Sequence, residues 1–416
     1  MEMLLPAPVA LALGRLSQAG FPAYVVGGCV RDAVLGVPPH DYDLCTAARP
    51  EEMRRVFAGE RVLETGARHG TLTVLLQGAP LEITTFRLDG EYQDGRHPAA
   101  VQFTRQITED LSRRDFTINA MAYAPGEGLV DPFGGRRDCA QGVIRCVGRA
   151  ERRFEEDALR ILRALRFSAR LGFLLEADTA RALHALRGNL ARISRERIAA
   201  ECGGLLLGDW AAPVLHAYGD VLFSALPSLA ETGFSFADPL LNALPLLPRE
   251  PALRWAALLF PLPSALPKRE EIARALLRGL KLSNQLTDTV CSLVREQFFP
   301  LRQDTLLEAL MRMGPEGVER MLLLRSACAQ ACHPGRAREI QAQFTVLEQA
   351  RRQLIAQNAC FSLKQLAVKG PDLTAQGLRG PQIGQALQQL LALVAQGRLP
   401  NEKEALLAAL RNITRE

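Results

Sequence analysis

Two carboxylates one residue apart, Asp41 and Asp43, stand shortly after a paired glycine, Gly27-Gly28, in the stretches Tyr24-Val-Val-Gly-Gly-Cys-Val-Arg-Asp-Ala-Val-Leu-Gly36 and His40-Asp-Tyr-Asp-Leu44. Residues at i and i+2 of a strand project from one face, so the two acids can share divalent cations. The glycines permit a tight turn, and the free N–H groups where a helix then begins attract an anion. Arg31 adds a charged fork at that end. Taken singly, Gly-Gly is an ordinary turn and Asp-x-Asp a solvated strand edge. In this order and spacing they form a phosphate cradle beside an acidic pair. Mg2+ held by one or two carboxylates together with substrate phosphates suits that arrangement, and the chemistry it points to is nucleotidyl transfer.

Such a site needs a small sheet to present the acids. Up to about residue 135, β-like runs at 24–26, 41–44, 70–76 and 81–86 alternate with helices, the last expected over 116–122. Beyond about residue 145 strand signals fade, and amphipathic helices joined by Pro-rich connections at 225–227 and 244–251 take over. The fold class is therefore α+β, an α/β head followed by an all-α remainder. Near the end, Pro381 opens a helix whose apolar face is Ile383, Ala386, Leu387, Leu390, Leu391 and Val394, with Gly397 as its stop. Lys364, Lys369, Arg379 and Arg398 flank that helix as candidates for phosphate contact.

A chain of 416 residues, 48% hydrophobic and 23% charged, suits several soluble units each with its own core. The net charge is only +5, but Arg152, Arg153, Arg160, Arg163, Arg166 and Arg170 crowd one short region, which suits phosphate or nucleic acid. The nine cysteines show no CxxC spacing, so buried thiols are expected in place of a disulfide framework or zinc ribbon. Cys328, Cys332 and His333 approach metal-ligand spacing but lack a fourth ligand. The apolar run 3–13 holds two prolines and no basic leader, and no segment reaches transmembrane length; a cytoplasmic protein without membrane partners is expected.

The stretch 24–44 resembles the signature of the DNA polymerase β nucleotidyltransferase superfamily, in its class II branch of tRNA CCA-adding enzymes and bacterial poly(A) polymerases. Arg113-Arg-Asp-Phe-Thr-Ile-Asn-Ala-Met121, Asp131-Pro-Phe-Gly-Gly135 and Glu156-Asp-Ala-Leu-Arg160 resemble the branch's further motifs in the same order. The resemblance implies a catalytic head with a sheet of about five strands over residues 1–139, a nucleotide-selecting neck over 140–208, a helical body over 209–330 and a tRNA-binding tail over 331–416, the whole elongated. It implies Mg2+ as cofactor and the tRNA 3′ end, CTP and ATP as partners. Asp41 and Asp43 are then the catalytic metal ligands, with Glu82 on a neighbouring strand as a third carboxylate or a plain surface residue. Gly28, Arg31, Arg114, Asp115, Asp157, Arg160, Arg163 and Arg166 become the nucleotide-binding residues, Arg114 on the nucleotide and Asp115 accepting from the ribose 2′-hydroxyl.

Beyond Phe154 one helix is expected, with Asp157, Arg160, Arg163, Arg166 and Arg170 on one half and Ala158, Ile161, Leu162, Leu165 and Ala169 on the other. Asp157 and Arg160 are spaced for an i,i+3 ion pair. Read as a base-selecting pair they match cytosine and adenine, which offer an exocyclic amine beside a ring-nitrogen acceptor, and clash with uracil and guanine. Leaving such groups unpaired in a dry pocket costs about 1–3 kcal/mol each. The polar segment 87–98 reads as a mobile loop of the kind that assists the change from C to A addition, and Glu64-Thr-Gly-Ala-Arg-His-Gly-Thr-Leu-Thr-Val74 resembles the CCA-adding form. Leu258-Leu-Phe-Pro261 stands where some relatives carry a His-Asp phosphohydrolase pair, so no second activity is expected. The alternatives are addition of A alone, poly(A) synthesis, or a non-catalytic RNA-binding protein.

Overall fold

The computed structural model describes residues 2–89, 101–263 and 268–413. The chain divides into two compact units, Met1–Ser228 and Leu229–Glu416. In the first unit the strands are β1 (Ala23–Val26), β2 (Asp43–Thr46), β3 (Arg61–Leu63), β4 (Thr71–Leu76), β5 (Ala79–Thr85), β6 (Arg87–Asp89), β7 (Val101–Phe103), β8 (Ala122–Ala124), β9 (Gly128–Val130) and a short parallel pair, β10 (Val143–Ile144) and β11 (Leu174–Leu175). Seven of them form one mixed sheet in the order β3-β4-β5-β2-β1-β8-β9, and β6 pairs with β7 in a separate ribbon. The resemblance implied about five strands; the additional pair are the three-residue edge strands β3 and β9, too short to show period-two alternation. The polar loop expected at 87–98 falls mostly outside the described residues.

Hydrophobic alternation accounts for the central strands. Leu72, Val74 and Leu76 of β4 and Leu81 and Ile83 of β5 are buried on one face, while their neighbours are partly or fully exposed. The first nine helices of the chain are α1 (Ala7–Gln18), α2 (Gly28–Val34), α3 (Pro50–Val56), α4 (Ile107–Ser112), α5 (Gly135–Gln141), α6 (Ala150–Glu156), α7 (Leu159–Leu171), α8 (Ala177–Leu186) and α9 (Arg195–Leu206). Tyr24, Val26, Cys45 and Ala122 pack with Phe86 and with Leu111 of α4, so this apolar layer fixes where α4 ends and where Arg113 and Arg114 begin.

Two expectations are corrected. Residues 116–122 are not a helix: Thr117–Asn119 is a single 3-10 turn, followed by β8. Backbone partners from elsewhere outbid the helix, since Thr117 N–H donates to the Arg145 carbonyl at 2.9 Å and β8 pairs antiparallel with β1. The helix after Phe154 is also not continuous. Asp157 has extended backbone (φ −146°, ψ 103°) and separates α6 from α7.

Asp131-Pro-Phe-Gly-Gly135 makes a capped start for α5. Both Asp131 carboxylate oxygens accept backbone N–H groups, from Gly135 at 2.7 Å and Arg136 at 2.9 Å. A side chain at Gly135 would come within 2.2 Å of the Thr117 carbonyl oxygen, so only glycine allows this approach.

The only regular secondary structure among the second unit's described residues is helical. Helix Pro251–Leu259 buries Arg254, which donates to the Pro248 and Leu247 carbonyls at 3.0 and 2.8 Å. Leu258 and Leu259 are core residues of that helix. A long helical run, Leu306–Cys332, breaks at Gly314 (φ 70°) before Pro315. The expected late helix is present as Pro381–Ala395, and its apolar face joins Leu366, Val368, Leu373, Leu406 and Leu410 in a cluster drawn almost entirely from residues 360–410. Lys364, Arg379 and Arg398 are exposed; the Lys369 ammonium is turned back onto the carbonyls of Lys364 and Leu366. All nine cysteines are free thiols, eight of them buried.

Candidate active site

The sheet register assembles the first part of the site. On one side of β1, Val26 lies opposite Asp43; on the other it lies opposite Ala122. Gly27 follows with φ 77° and ψ −125°, a conformation open to glycine, and its N–H donates to the Met121 carbonyl at 3.2 Å. The phosphate-cradle turn is thus welded between the acidic strand and the end of the Arg113–Met121 motif. Asp43 opens β2, and Asp41 precedes the strand by two residues in place of lying within it.

One pocket of about 530 Å³ gathers most of the expected residues: Gly28, Arg31, Asp41, Asp43, Arg114, Asp115, Asp157, Arg160, Arg163 and Arg166 all line it. Its walls hold eight arginines against five aspartates, an excess of three positive charges suited to a polyanion. Glu82 is not among the lining residues. The β2–β5 register, Leu44 to Ile83, sets Glu82 one step on beside Asp43, with its side chain exposed.

The acidic pair is short of counter-charge. Crowding by neighbouring atoms raises the Asp43 carboxyl above its ordinary value; Arg114 opposes this and Asp41 adds to it. Arg114 is anchored by Asp110 at 3.3 Å, while its buried Nε has no hydrogen-bond partner among the described residues. Hard carboxylate oxygens beside an unsatisfied guanidinium nitrogen are the donor set that a divalent cation with attached phosphates would complete. Among the described residues no cluster of three or more His, Cys, Asp or Glu side chains is preassembled for a metal, including around Cys328, Cys332 and His333. Cys29 also lines the pocket, but burial, reinforced by Asp43, pushes its thiol up to about 11, so it is no thiolate nucleophile at neutral pH.

Several guanidiniums are already engaged. Arg31 is not an open fork: it grips Asp32 at 2.7 and 2.9 Å and donates to Asn119 Oδ1 at 2.7 Å. Asn119 in turn donates to Asp115 Oδ1 at 3.3 Å, joining two motifs 88 residues apart. Asp115 also accepts from the Phe116 N–H at 2.8 Å and from Arg163 at 2.8 Å. Burial alone would raise its carboxyl; the Arg163 charge and these bonds outweigh it and hold the carboxyl below the ordinary range. Arg166 pairs with Glu201 of α9 at 2.6 Å.

Asp157 and Arg160 are not paired with each other. Arg160 is 8% exposed and held by Glu156 at 2.7 Å and by the carbonyls of Arg153 and Arg113 at 3.1 and 3.0 Å. Asp157 Oδ1 accepts the Leu159 N–H at 3.0 Å, starting α7, while its Oδ2 accepts from Arg197 of α9 at 2.7 Å. The helix break separates the two side chains that a continuous helix would have joined.

Sequence reasoning missed Phe167, Arg197 and Glu201. The Phe167 ring lies under the guanidiniums of Arg166, Arg31 and Arg163, at 4.4, 5.4 and 5.6 Å, and edge-on to Phe116 at 5.9 Å. Its position reads as ordinary core. Arg197 and Glu201 read as an exposed i,i+4 pair, yet α9 is pressed against α7: a Cβ on Gly204 would lie 2.5 Å from Arg166, and one on Gly208 2.4 Å from the Ala169 carbonyl. Those two glycines are the sequence signal of that approach.

A mixed sheet carrying a glycine turn beside an acidic pair, backed by an arginine-rich helix, is the head of a nucleotidyltransferase. The profile of the poly A polymerase head domain matches residues 23–145, and that of tRNA nucleotidyltransferase domain 2 (putative) matches residues 249–410. The chain is 38% identical over 427 residues to the CCA-adding enzyme of Geobacillus stearothermophilus, covering 98% of both, and 37% identical over 409 residues to that of Limosilactobacillus fermentum, covering 97% of this chain and 96% of the relative. The crystal structure of the Bacillus stearothermophilus CCA-adding enzyme in complex with CTP superposes with a TM-score of 0.77 at 33% identity over 99% of both chains. The chain belongs to the CCA-adding enzymes of the tRNA nucleotidyltransferase/poly(A) polymerase family, whose chemistry depends on divalent metal.

Proposed function

We propose that this enzyme adds the 3′-terminal CCA to tRNA from CTP and ATP without a nucleic-acid template, releasing pyrophosphate. The observation that carries the reading is the register of Val26 against Asp43, which sets the glycine turn and the acidic pair side by side in a pocket lined by eight arginines. Asp41 and Asp43 would hold Mg2+, and Glu82, beside Asp43 in the β2–β5 register, is the candidate third carboxylate. Bound there, Mg2+ supplies charge neutralisation on the triphosphate and favours the ionised form of the attacking 3′-hydroxyl.

The chain's own residues bind and align. The 3′-hydroxyl gives its proton to solvent water and its oxygen bonds the α-phosphorus, while the bond from that phosphorus to the α–β bridging oxygen breaks and the bridging oxygen leaves as part of pyrophosphate. Arg114, with its unsatisfied Nε, together with Arg163 and Arg166, meets the phosphates beside the Gly28 backbone. Arg31 acts mainly by fixing Asn119. Asp115 orients the ribose, and Asp157 with the rigidly held Arg160 offers an acceptor and a donor to the base edge. No side chain is assigned as general base. Residues 1–139 serve as head, 140–208 as neck, 209–330 as body and 331–416 as tail holding tRNA, in the cytoplasm. The free thiols suit that compartment, and among the described residues no helix is long and apolar enough to cross a membrane.

The test is incubation with tRNA lacking its last three nucleotides and each labelled nucleoside triphosphate, with wild-type enzyme and Asp41→Asn/Asp43→Asn. Addition of two C and one A by the wild type, lost in the variant with tRNA binding retained, supports the reading. Incorporation of ATP alone, or normal activity of the double variant, refutes it.

A further inference from the structure

Arg197 also lines the pocket. It lies on α9, forty residues from Asp157 in sequence, and donates to Asp157 Oδ2 at 2.7 Å, with both side chains largely shielded from water (25% and 16% exposed). The other oxygen, Oδ1, is taken by the Leu159 N–H. With each oxygen fastened, the carboxylate has one orientation, and the break between α6 and α7 turns it into the pocket wall. A carboxylate oxygen has two lone pairs, so Oδ2 can accept from Arg197 and from one further donor at once. Glu156 does the parallel task for Arg160. The acceptor is therefore set by one helix and the donor by another.

We infer that Arg197 is a positioning residue for base selection: it fixes Asp157 Oδ2 so that, with Arg160 as donor, the pair matches only a base edge bearing an exocyclic amine beside a ring-nitrogen acceptor. This rests on the reading of Asp157 as the base acceptor. Without Arg197 the carboxylate is held only through Oδ1 and can turn about its side-chain bonds. Preorganisation is lost, and the wrong base no longer meets a fixed acceptor.

The experiment compares Arg197→Met, Arg197→Lys, Asp157→Ala and the Asp157→Ala/Arg197→Met double variant on tRNA ending before its first C. It measures kcat and KM for CTP, ATP and UTP, with urea unfolding of each protein. Arg197→Met is expected to raise the relative kcat/KM for UTP over CTP by about tenfold, with KM for CTP rising more than kcat falls, and Arg197→Lys to restore most of the discrimination. The double variant should discriminate no worse than Asp157→Ala, because Arg197 acts through that carboxylate. If Asp157→Ala keeps full selectivity, the base-acceptor reading itself falls. If Asp157→Ala loses selectivity while Arg197→Met keeps it, or if the two losses add, the role of Arg197 is overturned. Arg197→Gln, which keeps a donor but no charge, gives the same readout should the methionine variant fail to fold.

Discussion

Replacing Phe167 by Leu should weaken phosphate binding while leaving base choice alone. The ring underlies three guanidiniums whose weights differ with exposure. Arg31, with a side chain 4% exposed, is desolvated and worth about 1–2 kcal/mol; Arg166 and Arg163, at 19% and 35%, are worth about 0.5–1 kcal/mol each. The edge-on contact with Phe116 adds about 0.5–1.5 kcal/mol. Two of the three cations lie near the outer limit of distance, and leucine refills part of the space, so the net loss is about 3 kcal/mol. Urea unfolding with linear extrapolation measures it. Loosened arginines should raise KM for CTP and ATP by the same factor, since the triphosphate is common to both. A stability loss below about 1 kcal/mol, or a change in CTP over UTP preference, would refute the platform role.

Three other perturbations follow from the geometry. Gly135→Ala forces a Cβ to within 2.2 Å of the Thr117 carbonyl and should cost about 3 kcal/mol, read as a lowered Tm; an unchanged Tm would mean α5 can shift freely. In the wild type, Asp115 has a depressed folded pKa, so its contribution to stability is complete above the ordinary carboxylate value and is lost as pH falls through the folded one. Arg163→Met leaves burial to raise that carboxyl, so the variant should be less stable by about 2 kcal/mol near neutral pH, with the gap to wild type narrowing toward about pH 3; a gap constant with pH would remove the charge argument. Ending the chain after Phe361, which packs with Leu306, Leu310 and Leu322, spares that cluster while deleting the one built from residues 360–410. Weakening of tRNA affinity by about tenfold at fixed salt with CTP affinity retained is expected, and an unchanged tRNA Kd would exclude the tail.

The parts of this site that lie close in sequence were legible. Gly27-Gly28 and Asp41-x-Asp43 are local signals, and their strand–turn–helix–strand order survives folding because adjacent strands pair. The apolar face of Pro381–Ala395 was legible for the same reason, since helical period alone dictates it. What failed was the choice between competing partners. Residues 116–122 have a helical pattern, but β1 offers them a strand, and Asp157 interrupts a helix that periodicity runs straight through. Arg160 is buried on Glu156 although its position on the wheel is polar. Arg197 meets Asp157 only because Gly204 and Gly208 bring α9 onto α7, a contact that no spacing within either helix encodes.

The double attachment of Asp157 also limits how this enzyme can drift. One oxygen starts α7 and the other is held by Arg197 in the pocket wall, so, with Asp157 as the base acceptor proposed above, selection for a folded protein and selection for the correct nucleotide act on the same carboxylate. Of the other residues, Asn, Ser and Thr are the good helix starters. Serine and threonine fall short of the pocket, and asparagine exchanges an acceptor for a donor. A library randomised at this position and screened for folding alone should therefore recover those three. Screened for faithful product ends it should return aspartate.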